Sequence, residues 1–362
     1  MLSPKIKRLF KKMSIHLSLW YLASLLYVLL EKGIMGESIL YPSTGNIYDF
    51  RSSLISVLLV ALMGGSIFGF LEELVFKNLF IQKAFIVKLL FKTSLYVTVL
   101  TVILFFNSAI STSWILDLPV YHPDVLSSSL TFFTNFVFIS IVIYASFFMC
   151  LGIFLSDIFD YVGTHVLSNF FTGTYSRSKK EIRVFMFLDM KSSTSIAESL
   201  GHEKYYHLLN SYYRDMTDSI LNAKGEIYQY IGDEIVVSWK LQKDIQNDHC
   251  INCYYSILAK LNSRQEFYID TFGVMPEFKA GLHYGNITTG EVGLIKKEIL
   301  FTGDVLNTTA RIQGLCNELN ASLLISDDLK KTLSPLYNYE LKGEFELRGR
   351  GQNIQLFSVS VG

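Results

Sequence analysis

EIYQYIGDEIVVSW, residues 226–239, predicts two short β-strands joined by a tight turn at Gly232 and Asp233. The flanking residues are aromatic and β-branched, which favours extended strands, and Gly followed by Asp suits a turn. A carboxylate at the tip of such a hairpin is held on rigid backbone. Asp233 is therefore a candidate metal ligand, although most Gly-Asp turns, taken alone, are only turns.

Three further motifs have the residue types of a phosphate and metal site. They are RVFMFLDMKSST (residues 183–194), GDVLNTTAR (303–311) and LRGRG (347–351). The first is an apolar strand that ends at Asp189 and runs through a small polar loop into a helix. The second puts Asn307 and Arg311 one turn apart on a single helix face. The third is a glycine-spaced basic pair that includes Arg348.

In this order the four motifs resemble those of the class III nucleotidyl cyclases, the adenylate and guanylate cyclase family. The resemblance covers about residues 181–360, half of the chain. It implies conversion of ATP to 3′,5′-cyclic AMP and pyrophosphate, in which the ribose 3′-hydroxyl attacks the α-phosphate. It also implies Mg²⁺ or Mn²⁺, two ions per active site, because charge must be neutralised at the attacking and leaving oxygens.

The resemblance gives each candidate residue a role. Asp189 and Asp233 match the family's two metal-binding aspartates, and Met190 would offer its backbone carbonyl to a metal. Asn307 would orient the ribose, and Arg311 would stabilise charge in the transition state. The residues expected to hold the nucleotide phosphates are Lys191, Ser192, Ser193 and Thr194 at a helix N-terminus, and Arg348, where the family has a Lys.

Two base-selecting positions, Gln229 and Leu300, depart from the family's patterns. Adenylate cyclases typically have Lys at the first and Asp or Thr at the second; guanylate cyclases have Glu and a small residue such as Cys. A Gln amide can face either purine edge, and Leu offers only shape. The run from Phe171 to Glu198 resembles bacterial adenylate cyclases, which favours ATP. The alternatives are a guanylate cyclase making cyclic GMP and a catalytically inactive membrane nucleotide sensor.

The resemblance also predicts the assembly and the fold. In the family, the metal aspartates of one domain face the Asn and Arg of another, so a chain with both sets is expected to form a head-to-tail homodimer. The order of strands and helices predicts an α+β domain with a ferredoxin-like βαββαβ core. The family's sheet carries its helices on one face. A net charge of zero gives no reason to expect a nucleic-acid partner.

The first half of the chain is too apolar for an ordinary soluble domain. Half of all residues are hydrophobic, with a mean hydropathy of +0.33. Four apolar runs, at residues 14–30, 54–71, 93–111 and 130–155, are each about long enough to cross a ~30 Å hydrocarbon core. We therefore predict a lipid-embedded, all-α bundle of four transmembrane helices over residues 1–155. A helical linker (156–180) and the catalytic domain (181–362) would follow.

The placement of basic residues predicts the orientation of this bundle. Lysine and arginine are concentrated in the N-terminal tail, in the second connection and after the fourth span, whereas residues 112–129 contain none. Basic segments stay on the cytoplasmic side. Both termini and the catalytic domain are thus expected in the cytoplasm, with the protein in the cell inner (plasma) membrane. The first span is expected to be a retained anchor and not a signal peptide.

Three smaller features have competing interpretations. Gly65 and Gly69 form a GxxxG pattern that either brings two copies together or packs within one chain. Glu72 and Glu73 are expected to be solvated at the cytoplasmic end of the second span, with a contact to a neighbouring helix as the alternative. The CxxC segment, residues 250–253, is expected to form a structural helix face, with a metal or redox site as the alternative.

Overall fold

The computed structural model describes residues 4–41, 47–76, 79, 83–162, 172–241, 248–295, 297–346 and 353–361. The chain divides into two compact units, Met1–Leu167 and Ser168–Gly362.

The N-terminal unit is helical. Its described helices are α1 (Pro4–Met35), α2 (Phe50–Phe70), α3 (Phe85–Leu116), α4 (Pro123–Phe133) and α5 (Phe136–Val162), and a π-helical turn, Leu71–Phe76, continues α2. Four segments are long and apolar enough to cross a membrane, namely Met13–Met35, Phe50–Phe76, Phe85–Leu116 and Phe136–Ile158. The four predicted apolar helices are thus confirmed. The fourth begins later than predicted because the separate helix α4 ends before it.

The GxxxG glycines lie where α2 packs against α1. A Cβ on Gly65 would come within 2.9 Å of Leu17 Cδ1 and 3.2 Å of Leu17 Cα, and one on Gly69 within 3.4 Å of Met13 Cα. A side chain at Gly65 would be too close to α1, whereas a Cβ at Gly69 would make an ordinary van der Waals contact. The pattern therefore serves packing within one chain.

Glu72 and Glu73 are buried, so the expectation that both are solvated is wrong. They are only 6% and 7% exposed. Glu72 forms an ion pair with the ammonium of Lys92 on α3 and accepts a hydrogen bond from the Tyr96 hydroxyl. Both glutamates belong to the π-helical turn, a local departure from α-helix that often marks functional positions. The alternative interpretation, a polar contact to a neighbouring helix, is the one that holds for Glu72.

Lys92→Met is expected to destabilise the N-terminal unit by about 3–5 kcal/mol, because Glu72 would keep a buried charge after losing its cation. The double variant Glu72→Gln/Lys92→Met removes both charges and should recover most of this loss. Thermal unfolding of the detergent-solubilised full-length protein measures the effect. Lys88→Met, which breaks the more exposed Lys88–Asp157 pair, is the control and should cost less. A Lys92→Met variant as stable as the wild type would contradict the assignment.

The predicted helical linker is only partly described. Helix α5 runs to Val162, so the first residues of the linker extend the last apolar helix. Residues 163–171 lie outside the described residues. The chain then turns at Gly173, whose carbonyl accepts a hydrogen bond from the Ser176 amide at 3.2 Å, before the first strand begins.

The C-terminal unit is an eight-stranded sheet within the described residues. Its strands are β1 (Lys179–Met190), β2 (Glu226–Ile231), β3 (Glu234–Lys240), β4 (Phe278–Val292), β5 (Glu298–Thr302), β6 (Leu323–Ser326), β7 (Tyr337–Phe345) and β8 (Ile354–Val361). Its helices are α6 (Ser193–Leu200), α7 (His202–Asn222), α8 (His249–Asn262), α9 (Gln265–Phe272), α10 (Asp304–Gly314) and α11 (Asp327–Lys330). The strand order is β2-β3-β1-β4-β6-β8-β7, and β5 pairs with β4.

The first four strands form the predicted βαββαβ core. Strand β1 lies between β3 and β4 and is antiparallel to both, and β2 pairs with β3. Helices α6 and α7 connect β1 to β2, and helices α8 and α9 connect β3 to β4. This is the ferredoxin-like arrangement, and the predicted fold class is confirmed.

Helices cover both faces of this sheet, whereas the resemblance implied one face. Val184 and Met186 of β1 pack into a core with residues of α7 and α8. Phe185 and Phe187, which alternate with them, pack with Val305 of α10 on the opposite face. A strand that is buried on both faces reads as a continuous apolar run, as β1 does. Helix α10 therefore lies on the opposite side of the sheet from α7 and α8.

The CxxC cysteines lie in the core. Cys250 and Cys253 are both buried on α8 and pack with the core of α7. Burial raises the pKa of the Cys250 thiol to about 12 and also raises the pKa of Cys253. Metal binding and redox exchange need the thiolate, which such thiols do not form at neutral pH. The structural interpretation of the pair therefore holds.

Candidate active site

Asp189 and Asp233 meet at one end of strands β1 and β3. Leu188 lies opposite Ile235 in the antiparallel pair, so the end of β1 lies beside the β2–β3 turn. Gly232 has a φ of 63°, which glycine adopts without steric cost. The turn thereby brings the Asp233 carboxylate into direct interaction with that of Asp189.

Tyr213 of helix α7 braces this turn. Its hydroxyl donates a hydrogen bond to the Gly232 carbonyl at 2.8 Å, and its ring packs against Tyr230 with centroids 4.5 Å apart. The hairpin tip is thus attached to the helix layer, and Asp233 is held on fixed backbone.

The surroundings neutralise the carboxylate pair only in part. Burial raises the pKa of Asp189, and the neighbouring Asp233 raises it further. Asp233 Oδ2 is buried and has no hydrogen-bond partner among the described residues. Such an oxygen costs free energy unless a donor or a cation meets it. The pair therefore fits a hard cation such as Mg²⁺ or Mn²⁺, which prefers oxygen ligands.

Side chains alone would not complete a metal shell here. No group of three or more His, Cys, Asp or Glu suited to a metal occurs in the part of the chain that the structure describes. The Met190 side chain is buried, so only its backbone carbonyl could serve as a ligand. Further oxygens would have to come from water or from a nucleotide, which is usual for Mg²⁺.

Glu234 adds a third carboxylate next to the pair. Burial, and then the charges of Asp189 and Asp233, raise the pKa of Glu234 from 4.5 to about 7. Glu234 follows Asp233 directly in the turn, and no motif of the sequence assigns it a role. Three carboxylates thus bring negative charge together at this end of the sheet, partly shielded from water.

This crowding predicts how pH affects the metal-free protein. Raised carboxyl pKa values mean that the folded chain holds protons more tightly than the unfolded chain. The contribution of Glu234 to stability is therefore complete below about pH 4.5 and is lost as pH rises through about 7. We expect faster amide hydrogen exchange in β1 and β3 at pH 7.5 than at pH 4.5 in chelator, after correction for intrinsic rates. Glu234→Gln should flatten this dependence, and an unchanged slope in that variant would contradict the assignment.

Asp189 also contacts two residues that were not among the candidates from the sequence. Gln313 Nε2 donates a hydrogen bond to Asp189 Oδ2 at 3.1 Å, and Lys279 Nζ lies 3.5 Å from the same oxygen. Lys279 stands directly opposite Asp189 in the β1–β4 register, which only the strand pairing reveals. No sequence pattern marks Gln313.

The loop after β1 leads into the N-terminus of α6. Ser192 has a left-handed backbone (φ 55°), and the helix begins at Ser193. The first amides of a helix have no acceptor within it, so those of Ser193 and Thr194 suit an anion. Lys191 is engaged elsewhere: its amide donates to the Glu277 carbonyl, and its ammonium lies 3.2 Å from the Ser322 hydroxyl.

Asn307 and Arg311 do not join the carboxylate pair within one chain. Asn307 is exposed and Arg311 half-buried on α10. Arg311 Nη1 is a buried donor without a hydrogen-bond partner among the described residues. No hydrogen bond or ion pair between described residues links either side chain to Asp189 or Asp233. Instead, α10 reaches Asp189 through Gln313.

The base-selecting candidates lie on two strands. Gln229 is exposed on β2, and Leu300 is 39% exposed on β5. Their neighbours Tyr228 and Phe301 stack with ring centroids 4.7 Å apart, which brings the two strands together. Arg348 lies outside the described residues.

Comparisons of this chain with known proteins agree on one family. A family model described as "Adenylate and Guanylate cyclase catalytic domain" matches residues 174–360. The chain is 35% identical over 212 residues to Adenylate cyclase 2 of Rhizobium meliloti (strain 1021), covering 58% of each protein. It is 31% identical over 170 residues to retinal guanylyl cyclase 2 of Rattus norvegicus, covering 46% of this chain and 15% of that protein. The chain thus spans less than two thirds of the length of these relatives.

A solved structure shares the fold. The structure of a bacterial light-regulated adenylyl cyclase superposes with a TM-score of 0.50 at 20% identity, covering 56% of this chain and 60% of that one. At this identity the likeness concerns the architecture alone.

Proposed function

The chain belongs to the adenylate and guanylate cyclase family, and we propose that it is an adenylate cyclase, which converts ATP to cyclic AMP and pyrophosphate. The observation that carries this proposal is that Asp189 and Asp233 lie together at one end of β1 and β3, with Asp233 Oδ2 buried and without a partner among the described residues. The 35% identity to an adenylate cyclase of Rhizobium meliloti supports ATP as the substrate.

In this proposal the chain's own residues bind and orient the nucleotide. Asp189 and Asp233, with the Met190 carbonyl, would hold two Mg²⁺ or Mn²⁺ ions. When bound, the ions supply charge neutralisation at the attacking and leaving oxygens. The amides of Ser193 and Thr194 would bind phosphate oxygens. The Lys191 amide, in contrast, already has an acceptor in the Glu277 carbonyl.

Asn307 and Arg311 would act on a nucleotide bound by a second copy of the chain. Their lack of contact with the carboxylates in one chain supports a head-to-tail homodimer with two equivalent sites. Arg311, which is half-buried on α10, would stabilise the charge that develops at the α-phosphate. Asn307 would orient the ribose, and Arg348 would bind the terminal phosphates.

A guanylate cyclase is the second candidate. Gln229 and Leu300 match neither base-selecting pair, and retinal guanylyl cyclase 2 is 31% identical over the matched region. A catalytically inactive nucleotide sensor is favoured less, because the carboxylate pair and the Asn307/Arg311 pair are both present. The identity of the purine base, adenine or guanine, is therefore the point that the turnover measurement has to decide.

The N-terminal unit would anchor the enzyme in the inner membrane. The four apolar helices and the distribution of basic residues support a multi-pass arrangement with both termini and the catalytic domain in the cytoplasm. In this arrangement residues 1–155 form the membrane domain, 156–180 the linker and 181–362 the catalytic domain. ATP is available on the cytoplasmic side.

The proposal is tested by turnover of ATP and of GTP, measured separately with purified full-length protein and Mn²⁺ or Mg²⁺. Cyclic AMP and pyrophosphate in equal amounts from ATP are the expected result. Formation of cyclic GMP alone would leave the proposed chemistry in place and make GTP the substrate. Nucleotide binding without any cyclic product would contradict the proposed enzyme activity and favour the nucleotide sensor.

A further inference from the structure

We propose that Gln313 is a positioning residue of the metal site, whose amide fixes the orientation of the Asp189 carboxylate. This inference rests on the proposed function in one respect, since it takes Asp189 to be a metal ligand. Gln313 itself touches neither metal nor nucleotide in this account and acts only through Asp189.

The Gln313 side chain is placed by tight packing of backbone on backbone. Helix α10 approaches β4 so closely that a Cβ on Gly281 would lie 2.4 Å from Gln313 N and 2.7 Å from Gln313 Cα. A contact this short requires glycine at that position. Gln313 is also only 7% exposed, so its side chain has little room for other conformations. The helix backbone at Gln313 is thus fixed against the sheet that carries Asp189.

The amide contacts one particular oxygen of the carboxylate. Gln313 Nε2 and Lys279 Nζ both approach Asp189 Oδ2, at 3.1 and 3.5 Å. The glutamine contact is a directional hydrogen bond, whereas the lysine contact is that of a mobile point charge. With Oδ2 of Asp189 engaged from inside the protein, Asp189 Oδ1 and the Asp233 carboxylate are left to face a cation. Residues that orient metal ligands in this way raise metal affinity by limiting ligand motion.

The same helix carries Asn307 and Arg311 on its outer side. Helix α10 therefore positions the Asp189 carboxylate of its own chain and also carries the Asn307/Arg311 pair that would act on the other copy. A site held by packed helices and strands keeps its geometry better than one built on loops.

The test is direct binding of Mn²⁺ to the full-length protein without nucleotide, read from the electron paramagnetic resonance of unbound Mn²⁺. Gln313→Met keeps the length and burial of the side chain and removes the donor. Gln313→Asn keeps an amide but is one methylene too short to reach Asp189. We expect both variants to bind Mn²⁺ about 10-fold more weakly or worse, the usual effect of removing a residue that orients a metal ligand.

Thr309→Val is the matched control on the same helix. Thr309 is fully buried, and its hydroxyl donates to the Val305 carbonyl at 2.6 Å, so the variant loses one buried hydrogen bond within α10. Its thermal stability in chelator should fall, and its Mn²⁺ affinity should equal that of the wild type. A merely structural role of Gln313 would make Gln313→Met behave like this control.

Three outcomes separate this inference from the proposed function. Weaker Mn²⁺ binding by both Gln313 variants and not by Thr309→Val supports it. Unchanged affinity in both Gln313 variants, with binding lost in Asp233→Ala, overturns the role of Gln313 and leaves the metal site intact. Absence of Mn²⁺ binding by the wild type, or binding that survives Asp233→Ala, overturns the metal site and this inference with it.

Discussion

Asp233→Ala is expected to lower cyclic nucleotide formation by about 1000-fold, which corresponds to about 4 kcal/mol of transition-state stabilisation. The reason is that the Asp189–Asp233 pair would lose half of its carboxylate oxygens, and with them its affinity for divalent cations. Asp189 alone has one oxygen already engaged by Gln313 and Lys279. The cyclisation would then lack the positive charge that offsets the developing negative charge.

The same substitution should not destabilise the fold. Asp233 Oδ2 accepts no hydrogen bond from the described residues, and the Asp233 carboxylate lies beside Asp189 and Glu234. Removing it relieves repulsion between like charges, so the thermal stability in chelator should equal or exceed that of the wild type. Such a gain is common when a functional residue is removed from a strained site.

Initial rates of product formation and thermal unfolding of the full-length protein measure both effects. Asp248→Ala is the control carboxylate. Asp248 accepts a hydrogen bond from the Ser334 amide at 2.8 Å, so its loss should lower stability and preserve turnover per folded molecule. An Asp233→Ala variant with turnover within tenfold of the wild type would show that the pair is not the catalytic metal site.

Two inactive variants are expected to restore activity to each other when they are produced together. Asp233→Ala removes the carboxylate half of a site, and Arg311→Ala removes the half that α10 would supply to the other copy. In a head-to-tail heterodimer of the two, one site contains both substitutions and the other contains none. Equal production gives half heterodimers with one intact site each, so activity should return to about a quarter of the wild type.

This recovery follows from the separation of the two residue sets within one chain. Arg311 has no contact with Asp189 or Asp233 among the described residues, and its Nη1 has no partner there. Differently tagged copies, purified sequentially through both tags, would isolate the heterodimer, whose activity should approach half of the wild type. Activity no higher than that of either variant alone would mean that each site is built from a single chain.

Much of the fold was predictable because its signals are local. The four apolar runs are long, and the alternation of aromatic and β-branched residues around Gly232 marks a hairpin. The motif order then gave the βαββαβ core. The position of α10 was not anticipated, although the continuous apolar run of β1 already indicated burial on both faces.

The candidate site was predictable only where its residues follow strands directly. Asp189 and Asp233 lie at the ends of strong apolar strands, and the resemblance to the cyclase family predicts that they share one site. Lys279 and Gln313 come close to Asp189 through strand register and the packing of α10 on Gly281, which are tertiary facts. The burial of Glu72 was missed for a related reason. Its partner Lys92 is twenty residues away, and the pairing depends on how α2 and α3 pack.

We propose above all that this chain cyclises a nucleotide with divalent cations held by its carboxylate pair. The most direct measurement is cyclic nucleotide formation by one preparation of full-length protein, as the free Mn²⁺ concentration is raised from chelator to saturation at fixed ATP. We expect no product in chelator, activity that returns with Mn²⁺, and no such return in Asp233→Ala. Product formation that persists in chelator, or that responds equally to Mn²⁺ in Asp233→Ala, would contradict it.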